Sequence, residues 1–69
     1  MTREEAKLFM QQNKGVKIKH VSFMYFEYVY IHPKTGQMVD EDDNYIDKFD
    51  FWKMREASGF DKGWSVVED

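Results

Sequence analysis

No cysteine occurs among the 69 residues, so neither a disulfide nor a thiolate metal site can reinforce the fold. Apolar runs long enough to cross a membrane, which take roughly 18 residues, are also missing. The opening stretch Thr2-Arg3-Glu4-Glu5-Ala6-Lys7 is charged and does not read as a leader. There is no internal repeat, linker composition or low-complexity tract, and no glycine-rich phosphate loop, HExxH, CxxC or nucleophile elbow. These absences lead us to expect one domain over residues 1–69, placed in the cytoplasm of the cell that makes or hosts it. A reducing compartment fits the lack of cysteine. We expect no metal and no cofactor, and a role in binding rather than catalysis.

What is present is aromatic and charged. Apolar residues make up 42% of the chain and twelve residues are Phe, Tyr or Trp, ample for folding. A domain this small buries only about 60% of the surface its unfolded chain exposes. Dense aromatic packing and burial of one subunit against another are the two remaining sources of stability, so a homo-oligomer is expected. The net charge of −3 argues against duplex nucleic acid as a partner. Residues 1–39 carry six Lys/Arg against three Glu, and residues 40–69 carry four Lys/Arg against ten Asp/Glu. That asymmetry suits complementary self-association, a basic pocket on an acidic body, or simply a solvated surface.

Thr2 followed by Glu5 fits a capping box. Ala6, Phe9, Met10 and Asn13 recur at helical spacing and Gly15 is a natural stop, which predicts a helix over 3–13. Val16-Lys17-Ile18-Lys19-His20 alternates as a half-buried strand does, with both lysines on one face. Residues 25–32 are rich in aromatic and β-branched types and read as a central strand. Pro33-Lys34-Thr35-Gly36 is a turn into a third strand at 37–39. A loop over 40–44 leads to a second helix near 48–58, capped by Asp47 or Asp50, and residues 64–68 close the chain as a strand. The fold class is α+β: a small antiparallel sheet of three to four strands with two helices, in the order α-β-β-β-α-β. Val16, Ile18, Phe9, Met10, Val29, Ile31, Phe49, Trp52 and Val66 form the expected core, and loss of Trp52 or Phe9 to alanine is expected to unfold it.

Asp40, Asp42 and Asn44 stand at alternate positions, as in a calcium loop. That loop needs glycine at its sixth position and glutamate at its twelfth, where this chain has Tyr45 and Phe51. A solvated hairpin or helix-entry loop is the better account. His20 ends a strand on its apolar face and reads as a satisfied, half-buried histidine. His32 precedes Pro33 in a turn and reads as exposed. Alternation sends Tyr25, Phe26, Tyr28 and Tyr30 to both faces of a sheet that this chain cannot cover twice, so some rings are expected at an interface or stacking platform. Lys17 and Lys19, with Arg55, suit phosphates beside those rings, although solvated lysines are the commoner outcome.

Glu5-Ala6 in an opening helix, Gly15 before Val16-Lys17-Ile18-Lys19-His20, the aromatic strand with Glu27-Tyr28, and the closing Gly63-Trp64-Ser65-Val66-Val67-Glu68 together resemble small accessory proteins of tailed phages. More distantly, they resemble the Thoeris anti-defence proteins that sequester cyclic-nucleotide signals. The chain departs from the latter in lacking their central insertion and in carrying Phe23 or Tyr25 where they place a tryptophan. The resemblance implies a non-catalytic phage protein that holds a nucleotide signal between subunits. Lys17, Lys19, His20, Tyr28, Tyr30, Arg55 and Trp64 are the candidate ligand-binding residues. An alternative from a different class is an acidic inhibitor of a host or defence nuclease that imitates nucleic acid through Asp40, Glu41, Asp42, Asp43, Asp47 and Asp50. A third is a subunit that docks through an aromatic face.

Overall fold

The computed structural model describes residues 1–68. The chain runs α1 (Arg3–Gln12), β1 (Ile18–His20), β2 (Val29–Ile31), β3 (Met38–Asp40), β4 (Tyr45–Ile46), α2 (Lys48–Lys53), a 3₁₀ turn (Ser58–Phe60) and β5 (Trp64–Val66). All strand pairs are antiparallel, and the sheet order is β4-β3-β2-β1-β5. The α+β class stands. The sheet has five strands rather than three to four, and the order gains a strand before α2.

Local chemistry accounts for the differences. The extra strand forms because Asp40 closes a tight hairpin: its carboxylate accepts from the amides of Asp42 and Asn44, both at 2.9 Å. Asp43 takes a left-handed φ of 63°, which Asp tolerates better than most residues. The aromatic run expected as one strand over 25–32 is a turn in its first half. The Glu27 amide donates to the Met24 carbonyl and the Glu27 carboxylate accepts from the Met24 amide, a local bond that competes with the ladder.

The helix starts follow the caps. In α1, Thr2 and Glu5 form the reciprocal capping box, and Gly15 leaves the helix at φ 92°. In α2, Asp47 caps by accepting from the Asp50 amide. The helix ends at Lys53 rather than near 58, where Arg55 folds back to donate to the Phe51 carbonyl at 3.0 Å.

One face of the sheet carries the core. Ile18, Val29, Ile31, Met38 and Trp64 pack against Ala6 and Met10 of α1 and Phe51 of α2. Phe51, not Phe49, is the core residue of α2; Phe49 is 88% exposed, because the Asp47 cap sets the helix start and so places Phe51 inward. Phe9, Trp52 and Val66 are half-buried at the margin of this cluster, as is Val16. Among the described residues, no helix is long and apolar enough to cross a membrane.

Candidate functional site

The seven residues expected to bind a ligand do not converge. Two lie in the core. His20 is 2% exposed, and its Nε2 stands 2.7 Å from the Lys62 carbonyl. A carbonyl only accepts, so Nε2 carries the proton. Nδ1 then accepts from the Ser22 amide at 3.0 Å, with the Ser22 hydroxyl at 2.7 Å. Both ring nitrogens are engaged within the fold, as in a satisfied core histidine. Trp64 is 1% exposed, donates Nε1–H to the Phe60 carbonyl at 2.8 Å, and packs on His20 and Trp52 with centroids 4.8 and 5.0 Å away. Neither ring has surface to offer a ligand, because the inward register of β1 and β5 leaves both under the helices.

Arg55 lies on the helix side too. Its guanidinium sits 3.9 Å from the Phe51 ring centroid and within 6 Å of those of Phe23 and Phe60, the range of cation–π attraction. Burial presses its pKa down, and Glu27 opposes that shift. The cleft beside it, about 300 Å³, is lined by Glu27, Asp40, Glu41 and Asp50. A phosphate there would meet four carboxylates against one cation.

Lys17, Lys19, Tyr28 and Tyr30 do share a surface: the sheet face turned away from the helices. In-register pairing puts Tyr30 beside Val39 and Val39 beside Tyr45. Lys17 Nζ lies 4.6 Å from the Tyr28 ring centroid, and the Tyr28 and Tyr30 rings are 6.4 Å apart. Tyr30 hydroxyl reaches Asp43 at 3.5 Å. Partial desolvation first, and the Asp43 and Tyr28 charges second, raise the Tyr30 pKa above the ordinary phenol value. This face is split in charge, with lysines on the β1 side and Asp43 on the β3–β4 side.

The six acidic residues of the alternative reading separate as well. Asp40 and Asp47 hold the hairpin and α2 through the bonds described above. Asp42 and Asp43 are exposed at the hairpin tip, Glu41 is half-buried beside them, and Asp50 stands on α2.

A groove of about 660 Å³ runs between α1 and α2, lined by Lys7, Met10, Gln11 and Ile31 on one side and by residues of α2 and Glu56 on the other. Met10, Ile31 and Trp52 give it an apolar floor, Phe49 projects at its edge, and Lys48 and Lys53 stand on its rim. Lys7 Nζ lies 5.3 Å from the Trp52 ring centroid. In sequence these residues read as core or as scattered surface charge, because only the placement of α1 and α2 over the same side of the sheet sets Lys7 around one groove with Lys48 and Lys53. Among the described residues, no cluster of three or more His, Asp or Glu is arranged to hold a metal ion.

No family model, curated protein or solved structure matches the chain.

Proposed function

We propose that the chain is a non-catalytic binding protein that takes a nucleotide-class anion in the α1–α2 groove and so sequesters it. The carrying observation is the meeting of Lys7, Lys48 and Lys53 with the rings of Trp52 and Phe49 around one groove of about 660 Å³. Small-molecule sites span roughly 300–1,000 Å³ and combine an apolar lining with a few placed polar groups. Stacking on an aromatic side chain contributes about 1–3 kcal/mol per base, and Phe49 presents a ring with little else covering it. Lys48 and Lys53 neutralise phosphate, while the carboxylates of Asp50 and Glu56 accept hydrogen bonds from a base or ribose. Sequestration of a signal is the role that the resemblance to phage anti-defence proteins implies.

Tryptophan fluorescence tests this. Trp52 lines the groove and Trp64 is buried outside it, so titration with AMP, ADP-ribose and cyclic dinucleotides should quench Trp52 emission in at least one case. Lys48→Ala and Lys53→Ala should each weaken that binding, and more so at low salt, where phosphate contacts count most. Lys17→Ala and Lys19→Ala should leave it unchanged. Loss of binding in the latter pair alone would move the site to the open sheet face, and no quenching by any of these probes would sink the reading.

The exposed hairpin tip favours a second reading, a docking element for a basic protein surface such as a nuclease's. In that case, inhibition of the nuclease would vanish in Asp42→Asn/Asp43→Asn while nucleotide titrations stayed as in the parent.

A further inference from the structure

We infer that the helix-free face of the sheet is where a second copy of this chain docks, about a two-fold axis running along β2. The inference stands on a different surface from the groove and does not rest on the nucleotide reading.

The first ground is composition. An antiparallel sheet with one face packed on helices normally turns polar residues to water on the other. Here that face carries Tyr30 and Tyr45 on either side of Val39 in one cross-strand row, Val39 itself being only 2% exposed, with Tyr28, just before β2, 6.4 Å from Tyr30. Tyr45 is more than half exposed. Tyrosine suits a protein interface because the ring is apolar and the hydroxyl can hydrogen-bond across it.

The second ground is the placement of charge. β2 is the central strand of five, with β3 and β4 on one side and β1 and β5 on the other. The cations Lys17 and Lys19 belong to the β1 side. Asp43, with its carboxylate 3.5 Å from the Tyr30 hydroxyl, belongs to the β3–β4 side. A rotation of 180° about an axis along β2 turns the face over and exchanges its two sides. Asp43 of one copy then lies over the Lys19 side of the other, twice by symmetry, while the tyrosines of β2 meet at the centre. Any other arrangement that sets like side over like side opposes lysine to lysine. A self-complementary patch of this kind is what an isologous dimer requires. Strands of the two sheets run nearly aligned, the ordinary geometry of sheets stacked about 10 Å apart. The result is four layers, helices outermost, and both grooves stay open to solvent.

Charge reversal with rescue tests the pairing, read by sedimentation equilibrium on the full chain at low salt. The parent should sediment at twice the monomer mass of 8.4 kDa. Lys19→Glu should raise the dimer dissociation constant by about tenfold or more, since like charges facing across an interface are strongly unfavourable. Lys19→Glu with Asp43→Lys should return it to within a few-fold of the parent. Lysine fits poorly at the left-handed Asp43 position, so Asp43→Asn, which keeps that conformation, provides a second route. It should weaken the dimer without altering the circular dichroism. A parent that is monomeric at about 100 µM, single variants that dimerise like the parent, or a double variant that keeps the parent's circular dichroism yet dimerises no better than Lys19→Glu would each overturn the inference. Nucleotide titration of the same variants reports on the groove separately.

Discussion

Trp64 shows how much of this small core rests on single side chains. It is nearly inaccessible, and its ring touches His20, Phe23, Phe51, Trp52 and Phe60. Replacing such a residue with alanine costs about 3–5 kcal/mol, against a total stability of about 5–15 kcal/mol for typical domains and less for small ones. Trp64→Ala should therefore leave no cooperative thermal transition. Trp52 lies half-buried over the groove, and loses less water-excluded area when truncated. Trp52→Ala should keep a cooperative melt, lowered by several degrees, since each kcal/mol moves the midpoint of a domain this size by about 4–8 °C. This reverses the ranking that pattern alone suggests, where Trp52 and Phe9 carry the core. Calorimetry on the two variants checks it.

At the scale of elements, side-chain bonds decide where helices and strands begin. The capping box of α1 gives a pH signature. Bonds from the Thr2 backbone first and its hydroxyl second hold the Glu5 pKa below its ordinary value. A depressed carboxylate stabilises the folded state above its unfolded pKa, and that contribution is lost as pH falls through the folded value. Thermal midpoints of the parent and Glu5→Ala should differ at pH 7 and converge below the usual glutamate range. A gap that persists unchanged into acid would mean that helix propensity, not the cap, sets the difference. At the other end of the chain, Gly63 is held at φ 96°, and a Cβ there would lie 2.9 Å from Val21 and 3.1 Å from His20 Nε2. The turn into β5 thus admits only glycine without displacing the histidine beneath it.

The whole molecule is two layers with two unlike outer surfaces. The helix side holds a concave groove lined by three lysines together with Asp50 and Glu56, and the sheet side is tyrosine-rich and divided in charge. The two inferred roles fall on opposite sides, so they should separate under mutation. Lys53→Ala should lose ligand affinity and keep the parent's sedimentation, while Lys19→Glu should do the reverse. Isothermal titration and sedimentation on the same two preparations would show it. Variants that lose both together would mean that the groove and the sheet face form one coupled site.

The caps, the Gly15 stop, the α+β class and the antiparallel pairing were legible in the residues, because each depends on neighbours within a few positions. Gly59, read as the stop of the second helix, instead lies in the 3₁₀ turn Ser58–Phe60, past the end of α2 at Lys53. Thr2 with Glu5, Asp47 before α2, and the alternation of Ile18, Lys19 and His20 are local facts. That His20 is a satisfied histidine was also legible, from its place on the apolar side of that alternation, but it is fully buried rather than half-buried and has no surface for the ligand role also assigned to it. Which lysines share a site was not legible. Lys17 and Lys19 sit close to the tyrosines in sequence and do meet them in space, yet Arg55 and Trp64, which local pattern grouped with them, lie beneath the opposite face. Lys7 joins Lys48 and Lys53 across some forty residues only because α1 and α2 cover the same side of the sheet. Local hydrogen bonding sets the elements, while the burial of their apolar faces against one another decides which charges and rings become neighbours.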